Sequence, residues 1–300
     1  MTQRKLSRAA SKLLSSSNEV RIASLCQMPF IQYDLATRIR DRLSEILAQP
    51  HSHRPRSMLI AGATNNGKTM LVSKFVAAQP INKDPAAEAT LVEVLYVQMP
   101  PVPDQRQFYL SILRKLDCPV RSTASLGTLQ ALTMKILSVV KTKMIVIDEI
   151  HNIFAGRFEQ QRSFLNVLRF ISNENSISLV CCGIEISVRA LQYDEQLANR
   201  FEHWALPKWG YNDLSRRLLA TMESTLPLHN ASQLADRANM QLIISLSEGT
   251  IGEIGHLVSA AAHRAILTGK EKIDADLLAE LSWIPPSQRR REAERVLGLL

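Results

Sequence analysis

With 300 residues and 46% hydrophobic content, the chain is long enough for one large domain or two small ones around a sizeable core. It has no run of 18 apolar residues, which excludes a helical membrane span, and its opening MTQRKLSRAASKLL lacks the apolar centre of a secretion signal. A net charge of +8 and a pI near 9.5 suit a polyanionic partner, although charge speaks to association and not to fold.

Residues 1 to about 34 are basic and Ser-rich, reading as a basic arm or surface helix, with an Arg/Ser-rich, acid-poor organelle transit sequence as the other reading. DLATRIRDRLSEILAQP predicts an amphipathic helix with Leu35, Ile39, Leu43, Ile46 and Leu47 on one face, stopped by Pro50. SMLIAG predicts a strand, KTMLVSKFVAAQ a helix, and ATLVEVLYVQM a second strand ended by PPVP. DQRQFYLSILRKL and TLQALTMKILSVVKT predict helices on either side of the loop CPVRSTASLG. KMIVIDEI predicts a buried strand ending in acids, RSFLNVLRFISNE a helix and SISLVCCG another strand. From about 57 to 184 strands alternate with helices, the pattern of a parallel sheet covered on both faces.

After Trp204 the pattern turns helical through YNDLSRRLLATMESTL, SQLADRANMQLIISLSE, IGEIGHLVSAAAHRAILTG and DADLLAELSW. The chain ends in a proline stop and a basic amphipathic stretch, PPSQRRREAERVLGLL. The expected division is an N-terminal arm and helix over 1–50, an α/β core over 51–206, a small all-helical domain over 207–284 and a basic tail over 285–300. The four cysteines, Cys26, Cys118, Cys181 and Cys182, form no C-x-x-C pair and read as buried reduced thiols of a cytosolic protein.

Gly62-Ala63-Thr64-Asn65-Asn66-Gly67-Lys68-Thr69 fits G-x-x-x-x-G-K-[ST] at every specified position, between a predicted strand and a predicted helix. Glycines let the backbone approach a phosphate closely, successive N–H groups form an anion nest, and the following helix adds its positive dipole end. Lys68 would reach the outer phosphates and the Thr69 hydroxyl would ligate Mg²⁺, with Met70 following in the same nucleotide-binding stretch. About 80 residues on, Asp148 and Glu149 end an apolar strand, where parallel sheets bind ligands. Asp148 would hold the metal through water, and Glu149 would polarise the attacking water, which favours hydrolysis over binding alone.

The phosphate loop, the Asp-Glu strand and the trailing helices together resemble an AAA+ ATPase. LQYDEQLANRFEHWALPKW (191–209), SEGTIGEIGHLVSAAAHRAI (247–266) and LSWIPPSQRRREAE narrow the likeness. They are similar to the TniB/TnsC-type transposition ATPases related to the phage target-selection protein MuB, from about Met28 to Arg291. The resemblance implies an α/β P-loop AAA+ core with a helical lid, binding ATP and Mg²⁺. It implies a bacterial cytoplasmic, nucleoid-associated regulator with no membrane role. Such a protein polymerises on double-stranded DNA as a ring or helical filament and recruits a DDE transposase of the TniA/TnsB type. A TniQ-type targeting protein is a further partner, and hydrolysis disassembles the filament.

The same resemblance places Arg200, in ANRF, where AAA+ proteins carry an arginine finger for a neighbour's γ-phosphate; the alternatives are a surface or salt-bridged arginine, and Arg189 as the finger. Ile31 and Tyr33, in MPFIQY, stand where the family packs the adenine, or serve ordinary core packing. Arg106, Arg121 and Thr123 lie in the family's DNA-facing stretches, or are solvated surface residues. Two departures matter: Cys182, Gly183 and Ile184 stand where a polar sensor is usual, and Gly252-Glu253 where many AAA+ proteins place a sensor arginine. Both imply a slow ATPase that waits for a partner; Glu253 reads otherwise as an exposed acid favoured by its helix dipole. Another AAA+ machine of the helicase-loader kind, and a nucleotide-binding scaffold without significant hydrolysis, are the other readings.

Overall fold

The structure, a computed structural model, describes residues 6–26, 30–50, 52–79, 90–121, 123–192 and 198–297. Met28, residues 193–197 of the LQYDEQLANRF stretch and residues 298–300 lie outside this set. The chain forms two compact units. One comprises Asp34–Ala63 and Lys68–Leu206; the other comprises the residues up to Tyr33, Thr64–Gly67 and those from Pro207.

The first unit is a parallel sheet with helices. Its elements in chain order are α3 (Asp34–Leu47), β1 (Ser57–Gly62), α4 (Lys68–Ala77), β2 (Val94–Gln98), α5 (Gln105–Lys115), α6 (Leu126–Val139), β3 (Met144–Asp148), a 3₁₀ turn (Ile150–Ala155), α7 (Phe158–Glu174), β4 (Ser178–Gly183), α8 (Ser187–Gln192) and β5 (Phe201–Leu206). The sheet order is β2-β3-β4-β1-β5, and every pairing is parallel. The three central strands are buried along their whole length, which is why SMLIAG, MIVID and SLVCCG read as unbroken apolar runs. Helices cover the sheet through Phe108, Ile112, Leu129, Leu137, Phe164 and Leu168, and the Phe108 and Phe164 rings meet edge to face at 5.1 Å.

β5 was not among the predicted strands. It is an edge strand, buried only at Phe201 and Leu206, so its charged and aromatic residues break the apolar run that marks its neighbours. Asp34–Leu47 belongs to this unit and not to an N-terminal arm: Arg42 grips Glu202 of β5 with two nitrogens, and the Arg38 guanidinium lies 5.6 Å from the Trp204 ring centre. Its buried face is Ala36, Ile39, Leu43 and Ile46, with Leu35 and Leu47 only half-buried at its edges.

The second unit is helical: α1 (Arg8–Leu13), α2 (Asn18–Leu25), α9 (Asp213–Thr225), α10 (Arg237–Ser247), α11 (Ile251–Leu267), α12 (Ala275–Glu280) and α13 (Pro286–Val296). Ser7 and Ser17 cap α1 and α2, so two of the serines of this basic segment mark helix starts. α11 carries the core, with Leu257, Val258, Ala261, Ala262 and Ala265 packed against Leu25, Leu219, Ile243 and Leu277. Arg21, 3% exposed, joins α2 to this core through Glu271 and the Pro227 carbonyl. Only two of the four cysteines, Cys181 and Cys182, are buried; Cys26 is exposed and Cys118 half-buried.

Candidate functional site

β1 ends at Gly62, where a Cβ would stand 2.8 Å from the Leu206 carbonyl oxygen of β5, so the strand pairs this closely only with glycine there. The chain then turns through the loop and enters α4 at Lys68. Gly67 has φ +82° and Asn65 φ 58°, the left-handed geometry that curls a backbone into an anion cradle. Nothing beyond hydrogen occupies the Gly67 α-position, and a Cβ would come within 3.1 Å of Ile251 Cγ2.

Lys68 is buried, and its Nζ donates to the Gly62 and Ala63 carbonyls at 2.9 and 2.8 Å. Burial draws the ammonium's pKa below its ordinary value, against the opposing charges of Glu149 and Asp148. A phosphate would relieve that desolvation by supplying an anionic partner. One helical position later, the Thr69 hydroxyl donates to Asp148 Oδ2 at 2.6 Å. Two residues that hold hard cations through oxygen are thus side by side, and the donor set fits Mg²⁺. When bound with ATP, Mg²⁺ would neutralise phosphate charge there, with Thr69 and Asp148 as the residues that hold it.

Asp148, 2% exposed, takes a second hydroxyl donor on Oδ2 from Tyr96 of β2 at 2.9 Å, and the Glu149 N–H donates to its Oδ1 at 2.9 Å. Burial first, then the hydrogen bond to Asp148, pushes the Tyr96 phenol well up, so it stays a donor. Glu149 is left-handed, φ 60° and ψ 35°, a strain of about 1–3 kcal/mol. Its Oε2 lies 3.2 Å from His151 Nε2, and His151 Nδ1 is buried with no partner. Tyr96 and His151 were missed in the sequence. A tyrosine inside an apolar strand gives no signal, and only the β2–β3 register, Gln98 opposite Asp148, places it beside the carboxylate.

At the end of β4, Cys182 and Gly183 are buried and Ser187 follows on α8, its hydroxyl buried without a partner. Burial, then the Asp148 charge, pushes the Cys182 thiol well up, so a neutral thiol stands at the usual sensor position. Met70, the third residue of α4, is half exposed.

In the helical unit, Ile31 is buried in the core with Leu25, and the Tyr33 ring meets Trp209 edge to face at 5.0 Å. Thr64–Gly67 belongs to this unit. Asn66 Nδ2 donates to the Pro207 carbonyl at 3.0 Å, Gly252 N–H donates to the Asn65 carbonyl at 3.0 Å, and Asn65 Nδ2 donates to Glu253 Oε1 at 3.2 Å. Glu253 is therefore buried and paired, and is not an exposed helix-start acid.

Arg200 immediately precedes β5, and its carbonyl accepts from the Ser57 N–H at the start of β1. It therefore lies at the amino end of the parallel strands, away from Gly62 and Asp148 at their carboxyl ends, and its Nη1 donates to Asn173 Oδ1 at 2.7 Å. Arg200 lines a cavity of about 510 Å³ with Arg54, Arg56, Asn199 and Glu202. Arg189, in the last turn of α8, is exposed. Arg106 sits in the first turn of α5 and not in a loop, donating to the Ala124 carbonyl at 2.6 Å; that bond brings it to the exposed loop holding Arg121 and Thr123.

The family model described as bacterial TniB protein matches residues 21–211, well over half of the chain. The chain belongs to the TniB family. Its fold is that of AAA+ ATPases. The Aeropyrum pernix ORC2 protein, solved as ADPNP-ADP complexes, superposes with a TM-score of 0.60 at 17% identity, over 85% of this chain and 70% of that one. CDC6P from Pyrobaculum aerophilum gives 0.59 at 16% identity, over 83% and 67%. The Aeropyrum pernix ORC1 protein, solved in complex with DNA, gives 0.60 at 18%, over 97% and 72%. At these identities the likeness carries the fold alone. No curated protein matches this TniB-family chain. No helix among its described residues is long and apolar enough to cross a membrane.

Proposed function

We propose that this TniB-family AAA+ ATPase is an ATP-dependent transposition regulator that assembles on target DNA, recruits a DDE transposase and leaves the DNA when ATP is hydrolysed. The observation that carries the reading is the convergence of Lys68, Thr69, Asp148 and Glu149 at the carboxyl ends of β1 and β3, with Thr69 bonded to Asp148 at 2.6 Å, in a chain of this family. The loop Gly62–Thr69 cradles the phosphates, Lys68 leaves its loop carbonyls for the outer phosphates, and Thr69 and Asp148 hold Mg²⁺. Ile31 and Tyr33 are the candidates for packing the adenine, and Met70 follows the phosphate loop on α4. Glu149, freed from His151, polarises the attacking water.

Arg200 supports an assembly of several subunits. It lies at the amino end of the strands, away from the phosphate loop at the carboxyl end of β1, so it serves a nucleotide only across a subunit boundary. The cavity with Arg54 and Arg56 gives an incoming phosphate a cationic setting. Arg106, Arg121 and Thr123 form the DNA face, contacting phosphates without reading bases. The TniQ-type targeting protein belongs to the same proposal, as does work at the nucleoid.

The test is DNA retention in ATP. Lys68→Ala loses nucleotide and DNA together, with nucleotide affinity down about a hundredfold. Glu149→Gln keeps both and stays on DNA longer than the wild type. Faster release by Glu149→Gln would overturn hydrolysis as the dissociation step.

A further inference from the structure

α13 is fastened at two points, to the residue that ends α10 and to the first turn of α11. The Ser287 N–H donates to Glu248 Oε1 at 2.9 Å. The Arg289 guanidinium takes the Glu253 carboxylate with both terminal nitrogens, at 3.2 and 2.6 Å, while lying 5.2 Å from the Trp283 ring centre. Glu253 then accepts from Asn65 Nδ2, and Gly252 packs so closely that a Cβ there would stand 1.9 Å from Asn65 Oδ1. One chain of contacts, Arg289 to Glu253 to Asn65, thus runs from α13 to the tip of the phosphate loop.

The charges in this chain are unequal in their surroundings. The Glu253 side chain is 10% exposed and that of Arg289 is 45% exposed. A carboxylate this buried, next to a loop shaped for an anion, is unfavourable to a bound polyphosphate unless a cation offsets it. The lid-helix start offers no arginine of its own, since Gly252 and Glu253 stand there; the cation arrives from α13 instead.

We propose that α13 sets the nucleotide affinity of the phosphate loop, with Arg289 as a positioning residue. Docked, Arg289 neutralises Glu253 and holds it on Asn65, and the loop keeps its binding shape. Undocked, it leaves a bare carboxylate beside the loop and nucleotide is released. By linkage, nucleotide in the loop strengthens the docking of α13, so a partner that captures α13 discharges the nucleotide. This rests on the loop binding nucleotide and is independent of the DNA and transposase readings.

The experiment titrates a fluorescent N-methylanthraniloyl ATP, and the matching ADP, into the full-length wild type, Arg289→Ala, Arg289→Lys, Glu253→Gln and the double variant Arg289→Ala/Glu253→Gln. Arg289→Ala is expected to weaken ATP binding about tenfold. ADP loses less, because it carries one negative charge fewer. Arg289→Lys recovers part of the loss. Glu253→Gln and the double variant bind within about threefold of wild type, since a neutral amide needs no cation. A purely structural α13 would instead lower the melting temperature and leave the double variant no better than Arg289→Ala. Wild-type affinity in Arg289→Ala, or a double variant as weak as the single, overturns the proposal. A wild type that binds neither nucleotide overturns it together with the nucleotide reading.

Discussion

Thr69 and Asp148, 79 positions apart, meet in one hydrogen bond of 2.6 Å. The bond ties the first turn of α4 to the end of β3 and sets the two oxygens that would flank a metal side by side. Tyr96 holds the same carboxylate oxygen from β2. Asp148 therefore arrives with both hydroxyl donors on Oδ2 and its own chain's N–H on Oδ1.

Tyr96→Phe removes one neutral hydroxyl donor and nothing else from this cluster. The loss of about 1 kcal/mol predicts a hydrolysis rate about fivefold lower and a higher Mg²⁺ requirement, with nucleotide affinity little changed. ATPase rates over a Mg²⁺ titration measure it. An unchanged Mg²⁺ curve would remove Tyr96 from the site.

Arg200 stands at the amino end of the parallel strands and Glu149 just beyond the carboxyl end of β3, so complementation between subunits is expected. Arg200→Ala and Glu149→Gln should each lower ATPase activity by about a thousandfold. Mixed, they regain a fraction of it, because some boundaries pair an intact Glu149 with an intact Arg200. No recovery at any mixing ratio would leave Arg200 as a tether to Asn173.

Glu271 gives the helical unit an acid-sensitive joint. Burial opposes its charge, but the hydrogen bonds from Arg21 and the His229 N–H outweigh it, and its pKa lies below the ordinary 4.5. A depressed folded-state pKa contributes stability that is fully present above about 4.5 and fades as pH falls through the folded value. Glu271→Gln should therefore destabilise the protein by about 3 kcal/mol at pH 7, since Arg21 stays buried without its anion. The gap to wild type should narrow as the pH drops below 4.5. Thermal melts between pH 3 and 7 decide it; a gap independent of pH would assign the stability to packing.

Much of this architecture is legible in the chain because two physical signals coincide. Central strands buried on both faces must be apolar throughout, and SMLIAG, MIVID and SLVCCG are; a glycine loop and an acid pair then follow at the strand ends where ligands bind. What escapes is whatever depends on register or on a distant partner. β5 is an edge strand whose Glu202 is explained by Arg42 of α3, with Arg56 beside it. Tyr96 matters through its alignment with β3. Glu253 looks like any acid at a helix start until Asn65, 188 positions earlier, and Arg289, 36 later, are placed against it. The serines of the N-terminal segment look like arm composition, yet Ser7 and Ser17 cap helices of the C-terminal unit.

The central claim is that the triphosphate drives assembly on DNA. Negative-stain microscopy of the purified protein with duplex DNA, in ATP, a non-hydrolysable ATP analogue or ADP, tests it most directly. The account predicts rings or filaments on DNA with ATP and the analogue, persistent with the analogue, and none with ADP. Monomers under every condition, or assemblies indifferent to the nucleotide, would contradict it.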